Sequence, residues 1–179
     1  MRRGLRWKVL VVAVGVLATA GTAPAAKAPK QAVWKSGLAR AKITPDQPLW
    51  LAGYAARQRP AEGKLHDLWI KVLALEDARG RRAVVVTADL LGFPKAMADA
   101  ISAELQRQQR LRRAEVMLAC SHTHSGPVLS GALLDIYPLD AQQLAMIEEY
   151  SRNLQATVVK AVGEAIGRLG PATVWTGEG

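Results

Sequence analysis

Residues 34–43, Trp34 through Ile43, alternate between apolar and polar positions closely enough to predict a first strand. Residues 46–66 follow, rich in Pro, Gly and charge with little periodicity. They read as a long loop, and loops of that length in compact domains are often functional. Residues 68–76 and 83–88 are β-rich runs joined by Asp77-Ala78-Arg79-Gly80, which predicts a hairpin-like turn. Pro94 then opens a helix to about Arg110, since proline is favoured in a first helical turn. Met97, Ile101 and Leu105 give that helix one apolar stripe at four-residue spacing. A strand over 115–120 comes next, so 83–120 reads as strand, helix, strand and predicts a right-handed parallel crossover. The last long helix starts near Asp140, where Asp140 with Gln143 resembles a capping box. Leu144, Ile147, Leu154, Val158, Ala161, Ala165 and Leu169 trace its core-facing stripe, which stops at Gly170-Pro171. Residues 172–176 begin another strand. The fold class is α/β, with a mixed or parallel sheet, at least one β-α-β crossover and a long C-terminal helix.

The first residues break from this pattern. Arg2, Arg3, Arg6 and Lys8 make a basic start, Val9 to Ala20 is an apolar run, and Ala23-Pro24-Ala25 offers an Ala-x-Ala cleavage site. That is the layout of a secretory signal peptide over 1–25, and it predicts a secreted or periplasmic protein. The run falls short of the roughly 20 residues that span a bilayer; an uncleaved N-terminal anchor is the rival reading. Residues 26–33, rich in Ala, Lys and Pro, read as a flexible leader, and 34–179 as a single domain with a real core.

Loss of the four basic residues in 1–25, which contain no acidic ones, lowers the formal net charge from +9 to +5. The remaining excess is densest at Arg107, Arg110, Arg112 and Arg113, at the end of a helix, where cations are favourable anyway. Interleaved aromatics are missing there, so the cluster does not read as a nucleic-acid face. Peripheral contact with an anionic membrane surface fits the charge better. Cys120 is the only cysteine, which rules out an intrachain disulfide and a disulfide scaffold. It ends an apolar strand and reads as a buried, inert thiol, with metal ligation or nucleophilic attack as the alternatives.

The chemistry of the chain is concentrated in Ser121-His122-Thr123-His124-Ser125-Gly126-Pro127, directly after the apolar run Val116–Cys120. It holds two of the three histidines. Histidine ligates metals as neutral imidazole and changes charge near neutral pH. In extended chain the two rings point the same way; a turn at Ser125-Gly126-Pro127 makes them diverge. A His-x-His pair also serves to cap strands or bond loops. A structural zinc site takes four protein ligands and a catalytic one about three, so with His66 and one cysteine the spacing gives a partial site. Ligands of open α/β sheets bind beyond the carboxyl ends of strands. Asp89 stands at that end of 83–88 and the histidines at that end of 115–120. Asp89 therefore either orients a ligating histidine or caps the loop before Pro94.

Five segments carry a resemblance: Ala41-Lys42-Ile43-Thr44-Pro45, Leu51-Ala52-Gly53-Tyr54, His66 through Asp77, Thr87-Ala88-Asp89-Leu90-Leu91-Gly92, and Ser121 through Pro127. In order and spacing the chain resembles the N-terminal part of the neutral/alkaline non-lysosomal ceramidase family, and the His-Thr-His-Ser-Gly-Pro segment is the most specific match. The resemblance implies a zinc-dependent amidase that cleaves the N-acyl bond of ceramide or a related N-acyl lipid to a sphingoid base and a fatty acid. It implies His122 as a Zn2+ ligand and His124 as the catalytic residue beside the metal, in contact with substrate or its oxyanion. Gly53, Tyr54, Ser125 and Gly126 would shape the pocket, although Gly53-Tyr54 reads equally as a surface turn. His66 falls on a family position too and reads as a structural hydrogen bond. The family's other zinc ligands, a second histidine, a glutamate and a tyrosine, lie far downstream of the motif. The resemblance thus implies an incomplete domain, a truncated N-terminal portion inactive by itself. Two other classes stay open: a non-catalytic secreted domain of the same fold, and another metallohydrolase that uses a His-x-His loop.

Overall fold

The structure, a computed structural model, describes residues 34–175 and 177. The expected signal peptide over 1–25 and leader over 26–33 fall outside the described residues. Among those described lie β1 (Trp34–Lys42), β2 (Trp69–Glu76), β3 (Arg82–Ala88), α1 (Lys95–Gln109), β4 (Val116–Cys120), α2 (Ala141–Gly167) and β5 (Gly170–Ala172). The strands form one mixed sheet in the order β4-β3-β2-β1-β5. β1, β2 and β3 run antiparallel in sequence, and β5 returns antiparallel to β1. β3 and β4 are parallel, with Ala88 beside Cys120, as the crossover through α1 requires.

Strict alternation puts Ile70, Val72 and Ala74 of β2 and Val84, Val86 and Ala88 of β3 on one buried face. Both helices cover that face. α2 packs along β1 and β2, with α1 beside it. Met97, Ile101 and Leu105 of α1, with Leu154, Val158, Val162 and Ala165 of α2, complete a single cluster with those strand residues. Each large aliphatic side chain fully buried there stabilises the fold by about 1.5–3 kcal/mol. On the opposite face Leu38, Leu73, Val85 and Met117 stand in register across four strands. Leu38 and Met117, at the two ends of that row, are 65% and 61% exposed.

Tertiary pairing corrects the sequence reading in four places. Pro94 caps α1 rather than occupying its first turn. Asp140 accepts the Gln143 N–H at 2.7 Å, worth about 1 kcal/mol, but no bond returns from the Gln143 side chain, whose Oε1 is buried without a partner. Leu144 was expected in the core and is 41% exposed, because α2 first packs on the small core at Met146 and Ile147. The last strand was expected over 172–176 and instead occupies Gly170–Ala172, where it can reach Trp34–Ser36.

The closest helix–sheet approach sits at Gly37. A Cβ there would lie 1.9 Å from the Ala165 carbonyl oxygen. Gly163, further back on α2, meets only the flexible Gln109 amide, 3.1 Å from its would-be Cβ. Two glycine-to-alanine changes should therefore differ in sign. Gly37→Ala should cost about 3 kcal/mol by overpacking, whereas Gly163→Ala should stabilise by about 0.5–1 kcal/mol, since glycine is costly inside a helix. Urea midpoints measure both; a Gly37→Ala midpoint at or above wild type would contradict the close approach.

Candidate functional site

The carboxyl ends of the parallel pair β3 and β4 open side by side. The Ser121 N–H donates to the Ala88 carbonyl at 3.0 Å, which extends the pairing one residue past β4. The chain then turns sharply at His122, whose φ of 57° is left-handed. For an ordinary L-residue that conformation costs about 1–2 kcal/mol, and histidine is among the residues enriched there. The turn leaves the imidazole exposed, with Nδ1 2.9 Å from the Leu91 carbonyl oxygen. A carbonyl oxygen only accepts, so Nδ1 carries a proton, and in the neutral ring Nε2 keeps its lone pair.

His124 is held differently. Its ring lies 5.4 Å from that of His122, centroid to centroid, edge to face. One edge abuts Gly53, where a Cβ would come 2.4 Å from Nδ1. Gly53 also has a φ of 105°, so glycine is required there twice over, for space and for backbone. The Tyr54 ring stands 4.6 Å from the His124 ring. The His124 Nδ1 is buried with no protein partner.

A short antiparallel staple joins the two loops. Ala52 N–H donates to the Gly126 carbonyl at 2.9 Å and Val128 N–H to the Trp50 carbonyl at 2.8 Å, around the Leu51–Pro127 bridge. Beneath it Leu49, Trp50, Ala52, Val128, Tyr137 and Ile147 make a second small core. The Tyr137 hydroxyl accepts the Gly53 N–H at 3.0 Å. Gly126 is packed against the exit of β3, where a Cβ would approach the Asp89 carbonyl to 3.2 Å. Ser125 is exposed, and its N–H donates to the Thr123 hydroxyl at 3.2 Å.

The remaining candidates lie to the side. The Asp89 carboxylate accepts the Trp69 N–H at 2.9 Å and so fastens the start of β2; no bond joins it to either histidine. His66 is exposed, with Nδ1 3.4 Å from the Asp67 carbonyl. The neighbouring Asp67 closes the long loop: the Lys64 ammonium and the Thr44 hydroxyl hold its carboxyl below the usual range. A groove of about 530 Å3, lined by Thr44, Leu49, Leu51, His66, Ser125 and Pro127 among others, runs beside the histidine loop rather than over the two rings. Among the described residues no three His, Cys, Asp or Glu side chains gather as a metal cluster. His122 fits a metal centre as one ligand: its proton is committed to a carbonyl and its other nitrogen is free, the usual arrangement of a ligating imidazole.

The two histidines, one of them on a left-handed turn, stand at the carboxyl ends of the parallel pair, which is where open α/β sheets customarily take their ligands. Residues 34–179 match the neutral/alkaline non-lysosomal ceramidase N-terminal family, and the chain belongs to that family. The neutral ceramidase of Pseudomonas aeruginosa is 27% identical over 150 residues, which cover 82% of this chain and 22% of the relative. The crystal structure of neutral ceramidase from Pseudomonas aeruginosa superposes with a TM-score of 0.63 at 26% identity, over 78% of this chain and 22% of that one. A second solved structure, a ceramidase complexed with C2, gives 0.62 at 25% identity over the same shares. This chain thus spans about a fifth of the length of these relatives.

Three contributors to the site escaped the sequence reading: the Leu91 carbonyl, Tyr137 and Arg57, whose Nη2 donates to the His124 carbonyl at 2.6 Å. Cys120 was expected as a buried, inert thiol and is half-buried at the end of β4. Burial pushes its thiol up to about 11, only partly offset by a backbone bond from Phe93. A thiol raised that far stays protonated at pH 8 and offers about 100-fold less thiolate than an ordinary cysteine. Alkylation of Cys120 at pH 8 should therefore run about two orders of magnitude slower in the folded chain than in denaturant. Equal rates would show an open thiol.

Proposed function

We propose that this chain is the N-terminal portion of an exported, zinc-dependent amidase that hydrolyses the N-acyl bond of ceramide or a related N-acyl lipid. Family membership supports a hydrolase of this class. The observation that carries the reading is the His122 imidazole, protonated at Nδ1 toward the Leu91 carbonyl and free at Nε2. Nε2 of His122 would hold Zn2+. Bound there, zinc would polarise the acyl carbonyl and lower the pKa of a water toward 7. His124 would face the substrate through Nε2, since Gly53 closes off the Nδ1 edge of its ring. From there it would donate to oxygen as charge develops. Gly53 and Gly126 hold the two loops close, and Tyr54 walls the site beside His124. In the overall reaction a water oxygen adds to the acyl carbon, the C–N bond breaks, and the amine leaves with a proton. A substrate of this class resides in a bilayer, so contact with a membrane surface belongs to the same proposal. Among the described residues no helix is long and apolar enough to cross a membrane.

The ligand count favours one other reading, a secreted domain of the same fold that holds no metal, since the described residues offer no three-residue ligand group. Zinc measurements separate the two. The chain as given should hold zinc weakly and release no acyl chain from a fluorescent N-acyl sphingosine. In a longer version that supplies the missing ligands, His122→Ala should lower zinc content and activity together, while His124→Ala should cut activity by about 100-fold and leave most zinc bound. Full zinc occupancy in His122→Ala would sink the ligand assignment.

Export rests on residues 1–25. Secreted material should begin at Ala26 on N-terminal sequencing. Recovery of intact Met1 in a membrane fraction would establish the anchor instead.

A further inference from the structure

Arg57 bridges the two loops. Its Nη2 donates to the His124 carbonyl at 2.6 Å, while its guanidinium carbon lies 5.2 Å from the centre of the Tyr54 ring. Tyr54 in turn stands against the His124 ring at 4.6 Å. A turn in which the Arg57 N–H donates to the Tyr54 carbonyl at 3.2 Å folds the arginine back over its own aromatic neighbour. Among the described residues no carboxylate forms an ion pair with Arg57, although it is half-buried and its Nε is shielded from solvent. Its charge therefore goes to a main-chain oxygen and an aromatic face, two partners that both belong to the setting of His124. A charge-assisted bond is stronger than a neutral one, and a guanidinium stacks on an aromatic face in a way an ammonium does not.

We infer that Arg57 is a positioning residue for His124: it pins the His124 main chain and clamps Tyr54 against the imidazole. Gly53 closes the Nδ1 edge of the ring, so the clamp leaves Nε2 as the nitrogen directed away from the loop. The orientation goes beyond the amidase reading and does not need it; only its use on an acyl substrate rests on that reading. Tyr54 is 58% exposed. Without the guanidinium nothing polar fastens its ring, and the aromatic wall beside His124 is free to swing into solvent.

The test is an NMR measurement at fixed pH on the full chain, labelled in the histidine rings, with His124 assigned by loss of its signal in His124→Gln. The wild-type His124 ring protons should carry a ring-current displacement that Tyr54→Leu abolishes. Arg57→Met keeps the apolar stem but no donor and no charge. It should lose most of that displacement while the His66 signals stay in place, and Arg57→Lys should restore part of it. A folded Arg57→Met with the wild-type displacement overturns the inference. Should Arg57→Met fail to fold, wild-type cross-relaxation decides: the Tyr54 ring protons should show contacts to both the Arg57 side chain and the His124 ring, and absence of either overturns it. Failure of the amidase reading would leave these spectra unchanged, so the two stand or fall separately.

Discussion

Helix α2 lies so close to β1 that one methyl group on Gly37 would strike the Ala165 carbonyl. Much of the molecule follows from that contact. Ala39, Ala161 and Ala165 keep the interface thin, and the helix runs on past the sheet toward the long loop. There the Tyr150 hydroxyl donates to the Ile43 carbonyl at 2.6 Å, and burial raises its pKa well above the ordinary phenol value. One turn earlier Ile147 enters the small core with Trp50 and Tyr137. Tyr137 takes the Gly53 N–H, and Gly53 bounds the His124 ring. The site is thus held from beneath by the same helix that closes the main core.

The two histidines owe their juxtaposition to backbone more than to side chains. Parallel register brings the ends of β3 and β4 together, and a left-handed residue then swings the chain across the gap. Within two residues one imidazole is turned toward a main-chain carbonyl and the other is wedged against a glycine. Strain of this kind persists only where surrounding structure over-determines it. The staple between 50–52 and 126–128 is that surrounding structure.

The first four strands, the hairpin and both helices were legible in the sequence because their hydrophobic periods are clean and their ends carry Pro, Gly or Asp. What pairing decides was not legible. β5 begins at Gly170 because β1 offers Trp34–Ser36 to it, and nothing in 170–172 itself announces a strand. The Ser-His-Thr-His segment stood out by composition. Its supports did not: every residue has a carbonyl like that of Leu91, and Tyr137 and Arg57 meet the site across 84 and 67 residues of chain. Asp89 was legible as a residue of the site edge, but its bond to the Trp69 N–H depends on where an antiparallel neighbour happens to present a free donor.

The left-handed turn at His122 also bears on how such a sequence can drift. Two demands would meet at that position, an imidazole for the proposed ligation and a backbone that most L-residues resist. A lineage that gave up the metal would be released from the first and not from the second. Asn, Asp and Gly meet the backbone demand at least cost, whereas a β-branched residue would pull the loop out of place and part the staple with it. Inactive descendants of this fold would then carry a small set of residues at one position, a mark of lost chemistry that the backbone itself writes.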